Sequence, residues 1–160
     1  MGKEAKTNAM RLLEKNKVEY KAYSYECTEF TDGIQIADIL GLPHDLVYKT
    51  LVTVGKSREH YVFVIPIEAE LDLKKAAKAA GEKSIEMLPL KELTPLTGYV
   101  RGGCTSIGMK KQFPTIVDAS AEAREKIVVS GGRLGSQLEL KAEDLIRVAR
   151  AKTADVVTES

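Results

Sequence analysis

Residues 46–67 read LVYKTLVTVGKSREHYVFVIPI: two β-branched runs on either side of a polar turn, GKSRE. Such runs favour strands, and the turn between them makes a hairpin. Around it the helical segments are short. NAMRLLEKNKV sets Ala9, Leu12 and Leu13 on one helical face, with Thr7 or Asn8 available as a cap. VEYKAYSYE alternates and reads as a strand. DGIQIADILGLP spaces Ile34, Ala37 and Leu40 as a helix, stopped by Gly41 with Pro43 beyond. DLKKAAKAAG is a helix from Asp72 to Gly81. In the second half SIEML, GYVRGG, TIVDAS and KIVVSGG are short strand candidates, LKELTPL is a helical turn, and KAEDLIRVAR a late helix with Leu145, Ile146 and Val148 or Ala149 inward. Many short strands and few helices, without regular βαβ alternation, predict an α+β fold with a closed or strongly curved mixed sheet.

Composition narrows the function classes. At 160 residues, with no repeat and no compositional break, one domain over 1–160 is expected. A net charge of +1 argues against a protein that grips long nucleic acid by a basic surface. No apolar run approaches the ~20 residues of a membrane span. The start, MGKEAKTNAMRLL, lacks a secretory h-region, and Lys6 stands where a myristoylation signal needs Ser or Thr. Cys27 and Cys104 fit no close-spaced zinc or redox pattern, so no metal is expected and the expected setting is the reducing cytoplasm. No Rossmann or P-loop motif occurs, and no cofactor is expected.

Three places invite a ligand. GYVRGGCTSIGMKK, residues 98–111, has a glycine pair that can bring backbone N–H groups to an anion or can simply turn a sheet corner. VSGGRLG, residues 129–135, repeats the theme with Ser130, either a donor to a ligand or a turn serine. Lys49 interrupts a largely apolar strand, with Thr50 on the opposite face; it either snorkels to water or points into a polar cavity. His44 and His60 read as surface residues, and both cysteines as small buried hydrophobes.

The ordered set YKTL after LGLP, then DLKKAAKAAG, TGYVRGGCTSIGMKK and VSGGRLG, resembles the YbaK/EbsC family, free-standing relatives of the editing domain inserted in bacterial prolyl-tRNA synthetases. The resemblance covers roughly residues 5–157, and its most specific pieces are KTL at 49–51, LKKAAK at 73–78 and the two glycine pairs. It implies a curved, partly barrel-like mixed sheet surrounded by helices. It implies a trans-editing aminoacyl-tRNA deacylase, removing cysteine from mischarged tRNA(Pro), with the tRNA acceptor end as substrate and prolyl-tRNA synthetase as a candidate partner. By the same resemblance Lys49 is the catalytic lysine, and Tyr25, Thr50, Gly102, Gly103, Ser130, Gly131 and Gly132 bind substrate, while Gly33 and Ala37 match a G-x-x-x-A segment. Thr105 and Ser106 stand where relatives have Ser-Pro, which should loosen the loop, and Gln35 where many have an acid. Editing of another small aminoacyl group such as alanine, or a non-catalytic module binding an acceptor end or an adaptor, are the alternatives.

Overall fold

The computed structural model describes residues 6–27, 29 and 31–159. The predicted hairpin is its centre, formed by β2 (Tyr48–Gly55) and β3 (His60–Pro66), paired antiparallel from Tyr48↔Pro66 to Val54↔His60. The middle of β3 is apolar because both its faces are covered. Val62 and Val64 pack on one side, Phe63 and Ile65 on the other, and all four are buried.

β4 (Ile85–Met87) adds antiparallel to β2, and β5 (Thr115–Asp118) and β8 (Lys152–Ala154) extend the other side in parallel, giving a mixed sheet ordered β4-β2-β3-β5-β8. A second, antiparallel sheet runs β1-β7-β6, from β1 (Tyr20–Ser24), β7 (Ser136–Lys141) and β6 (Lys126–Ser130). Among the described residues a single parallel bridge, Val47↔Val128, joins the two.

The helices follow their caps. α1 (Asn8–Lys15) starts where the Thr7 hydroxyl accepts from Met10 N–H, and it buries Ala9, Met10 and Leu13 with Leu12 only partly covered. α2 (Gly33–Leu40) is capped by Asp32, and α3 (Leu73–Ala80) by Asp72; both end on left-handed glycines, Gly41 and Gly81. α4 (Leu90–Thr97) and α5 (Ala142–Val148) complete the set. α3 covers the Phe63–Ile65 face of the sheet, while α1 and α5 pack with the small sheet over Val64.

The α+β expectation is met and its barrel-like part is not: neither sheet closes among the described residues. The edge strands β4 and β8 have three residues each, and one bridge is the whole of the pairing between the sheets among the described residues. GYVRGG is not a strand. Gly98 ends α4 in the left-handed conformation, and Gly103 N–H closes a turn on the Val100 carbonyl. LKELTPL makes a full helix rather than one turn. α2 buries Ala37 as expected and Ile36 besides, while Ile34 is only partly covered against the same cluster and Leu40 is half-buried; its first residue, Gly33, presses on Ile67 at the end of the hairpin.

His44 fixes α2 to the hairpin. It opens a 3-10 turn, His44–Leu46, with Nε2 2.6 Å from Asp38 Oδ1 and Nδ1 3.2 Å from Glu68 Oε2. Only the doubly protonated ring can donate to both carboxylates. Asp38 first, then Glu68, raise the His44 pKa above its ordinary 6.5. The folded value is the raised one, so this contribution to stability is complete below pH 6.5 and fades as pH climbs through the raised value. Both carboxylate partners are exposed, so the effect is small. The denaturation midpoint of the protein should fall slightly between about pH 6 and about pH 8, and the step should vanish in His44→Gln. An NMR titration placing His44 below its ordinary value would contradict the arrangement.

Candidate functional site

β3 follows β2 along one edge for its whole length, but the other edge of β2 has two partners in succession. Just before the strand begins, Val47 bridges to β6; β4 pairs only with Thr53–Gly55. The Val52 carbonyl points to this outer edge, accepting from Leu88 N–H at 3.1 Å. Backbone groups two residues apart share an edge, so the N–H and C=O of Thr50 face the same way, into the fork between β6 and β4. The fork opens into a cavity of about 610 Å³.

Lys49, Thr50, Gly102 and Ser130, four of the residues singled out by sequence, line this cavity together. Lys49 and Thr50 lie on opposite faces of β2, yet both reach it because it wraps the open edge. The other four frame it from outside its lining. Tyr25, one residue past β1, is half-buried; its hydroxyl accepts from Gln137 Nε2 at 3.4 Å, and Gln137 lines the cavity. Gly103 is buried beneath the cavity wall, where an added Cβ would lie 2.9 Å from the Arg133 backbone. Gly131 and Gly132 turn the chain from β6 to β7: Gly131 N–H donates to Ser136 O at 2.9 Å, and Gly132, at φ 103°, donates to Ser130 Oγ at 3.3 Å.

The glycine loop is held without the missing proline. Tyr99 Oη donates to Ile107 O at 2.7 Å, Asn8 Nδ2 donates to Gly108 O at 2.9 Å, and Ile107 N–H reaches Thr105 Oγ1 at 3.4 Å. Thr105 and Ser106 are both buried. The Tyr99 hydroxyl is pushed up to about 12, chiefly by burial, so it stays a donor. Side-chain anchors at both ends of the loop take the place of the fixed φ in relatives.

Electrostatics separates the two reactive-looking groups. Burial pulls the Lys49 ammonium below its ordinary 10.5, against the opposing pull of Asp32 and Glu70. Asp32 itself lines the cavity. Cys104, which also lines it, is buried and its thiol is pushed up to about 12 by desolvation. That sulfur is a protonated wall atom at neutral pH. Cys27 is half-buried, its Sγ donating to Glu29 O at 3.0 Å. Among the described residues no three His, Cys, Asp or Glu side chains are grouped to hold a metal.

Two features of the site escape a reading of the sequence. β7 is one, although Gln137-Leu138-Glu139-Leu140 alternates, and with it Gln137, a buried amide in the cavity wall. The apolar wall of Ile36, Leu88 and Leu93 is the other, because it gathers residues from two distant parts of the chain. The close approach of the two glycine loops gives a test: Gly103→Ala should cost about 1–3 kcal/mol in stability by denaturant unfolding, since backbone cannot move aside as a side chain can. An unchanged midpoint would show that the loops do not touch.

The model of an aminoacyl-tRNA editing domain matches residues 32–148. The chain is 47% identical over 154 residues to EbsC of Enterococcus faecalis, whose name carries an inferred Cys-tRNA(Pro)/Cys-tRNA(Cys) deacylase activity; the match covers 96% of this chain and 94% of that one. The fold is shared with the crystal structure of a proposed trans-editing enzyme for prolyl tRNA synthetase, at TM-score 0.83 and 22% identity over 98% of this chain and 100% of the other. It is shared also with the hypothetical protein APE2540, at TM-score 0.86 and 23% identity over 94% and 99%. With its cavity built by the matched segment and nearly its whole length aligned to such relatives, the chain belongs to the aminoacyl-tRNA editing domain family.

Proposed function

We propose that this protein is a trans-editing deacylase that frees tRNA(Pro) of wrongly attached cysteine, with the substrate's own thiol as the attacking group. One observation carries this most directly: the cavity offers a cation and backbone donors, while its thiol, on Cys104, is held protonated. A nucleophile is then best sought on the substrate. The cysteinyl sulfur attacks its own ester carbonyl; the S–C bond forms, the ester C–O bond breaks, and the thiol proton ends on the departing ribose oxygen. The products are a cysteine thiolactone and intact tRNA. Held in position, such an intramolecular attack can gain up to ~7–11 kcal/mol from proximity alone. The Thr50 amide at the open edge of β2 and the backbone around Gly102 are the candidate donors to the developing oxyanion. Lys49 is the candidate contact to the ribose–phosphate end or the aminoacyl group, and Tyr25, Ser130 and Gln137 complete the wall around the side chain.

No helix among the described residues is long and apolar enough to cross a membrane. The cytoplasm, where charged tRNA is made and used, is the proposed setting, and prolyl-tRNA synthetase the proposed partner, consistent with the relatives' names.

Lys49→Ala should fold and lose about 10- to 150-fold in deacylation, the range for deleting a charge-assisted hydrogen bond of ~1.5–3 kcal/mol. A wild-type rate would reduce Lys49 to a strand residue on the wet face. Purified protein given tRNA charged with Cys, Ala, Ser or Pro should act fastest on cysteine, and Cys104→Ser and Cys27→Ser should stay within a few-fold of wild type. Equal rates on cysteine and alanine would mean that water attacks, because alanine has no group to cyclise; a large loss in a folded cysteine variant would mean an enzyme nucleophile.

A further inference from the structure

Charge is unevenly divided around the cavity, although the chain as a whole carries only +1. Residues 93–117, which hold the glycine loop, contain no Asp or Glu but include Arg101, Lys110 and Lys111. Residues 126–138, which hold the second glycine turn, contain none either and include Arg133. The segment that holds α2 is the reverse: residues 22–48 contain no Lys or Arg and five acids, of which Asp32 lines the cavity while Asp38 pairs with His44 and Asp45 with Arg124.

The fold brings the basic residues to one side of the mouth. Arg101 lines the cavity, next to Gly102. The Arg133 backbone lies against Gly103. Lys110 lays its side chain along Gly98 and reaches toward Pro95 O at 3.5 Å, and its neighbour Met109 packs with Leu93 and Cys104, both cavity residues. Lys111 sits over the Phe113 ring of the same cluster, 5.8 Å from its centre. Lys110 and Lys111 are both exposed. Asp32, at the start of α2, lines the same cavity as Lys49 and acts on its charge.

We propose that the glycine-loop rim, Arg101, Lys110, Lys111 and Arg133, docks the sugar–phosphate backbone of the RNA acceptor end, and that Asp32 at the start of α2 biases the direction from which the RNA enters. The inference rests on the deacylase reading and adds to it where the polynucleotide lies. Phosphates are drawn to the basic rim and repelled from the α2 wall, so the terminal ribose arrives over Gly102 and Thr50 with its aminoacyl group toward α2. A rim of about four cations contacts few phosphates, which fits moderate affinity and a shallow salt dependence.

The probe is an uncharged acceptor-stem minihelix ending in CCA, its binding followed by fluorescence anisotropy at several salt concentrations. Lys110→Ala/Lys111→Ala should weaken binding by about tenfold or more and lower the salt slope by about two, one for each phosphate no longer held by a lysine. The control is Lys74→Ala/Lys78→Ala on exposed positions of α3, which packs on the other face of the central sheet; it should leave both quantities unchanged. In deacylation, the Lys110/Lys111 variant should raise KM for Cys-tRNA while leaving turnover of the cysteinyl ester of adenosine, which has no phosphate, at the wild-type rate. Equal losses in the two pairs, no loss in the first, or no measurable minihelix binding by the wild type would overturn the proposal. Minihelix binding that depends on Lys110 and Lys111 without any deacylation would sink the enzymatic reading and leave the docking face standing; deacylation with an unchanged KM in that variant would do the opposite.

Discussion

The outer edge of β2 cannot be satisfied by one neighbour. β6 meets it at Val47, β4 meets it from Thr53 onward, and the two diverge because they belong to different sheets. Between them a stretch of strand keeps its backbone polar groups turned toward a cavity instead of a ladder. Most of what makes the site follows from that constraint. It sets Thr50 at the floor, lets Lys49 come round from the far face, and leaves a space that the two glycine turns and α2 wall in.

The walls around the fork differ in stiffness and in charge. The loop from Tyr99 to Gly108 is tied at both ends by side-chain hydrogen bonds, so its amides are placed before any ligand arrives. The thiol of Cys104 is neutralised by the same burial that lowers the Lys49 pKa, so one desolvated environment acts on two groups in opposite electrical senses. Position, local dielectric and a few fixed dipoles carry the design.

Much of this was legible in sequence where the signal is local. The hairpin announced itself by β-branched runs, α2 and α3 ended on the glycines that looked like stops, and the lysine that breaks β2 proved to face a cavity. What the sequence hid is tertiary. GYVRGG has strand-like residues, but the preceding helix needs Gly98 as its cap and Tyr99 as an anchor, which leaves too little chain for a strand. β7 is half polar, and Gln137, on the face opposite Leu138 and Leu140, is buried because that face forms part of the cavity wall. The cavity itself has no sequence signature, since it exists where two sheets part, and no periodicity reports that. The partly barrel-like expectation was not met for the same reason: curvature can be guessed from many short strands, closure cannot.

The fork also disposes of a hazard. Open strand edges invite another chain to add itself, and the hairpin's apolar, β-branched sequence is the kind that nucleates intermolecular β-sheet. Here the unpaired stretch is short, recessed, and guarded at either end by β6 and β4, so an incoming strand would meet those neighbours before it could form consecutive backbone bonds. Such an arrangement can leave backbone amides open to a small molecule while denying them to another strand. Lengthening the gap by weakening β4 would trade a wider cavity for self-association.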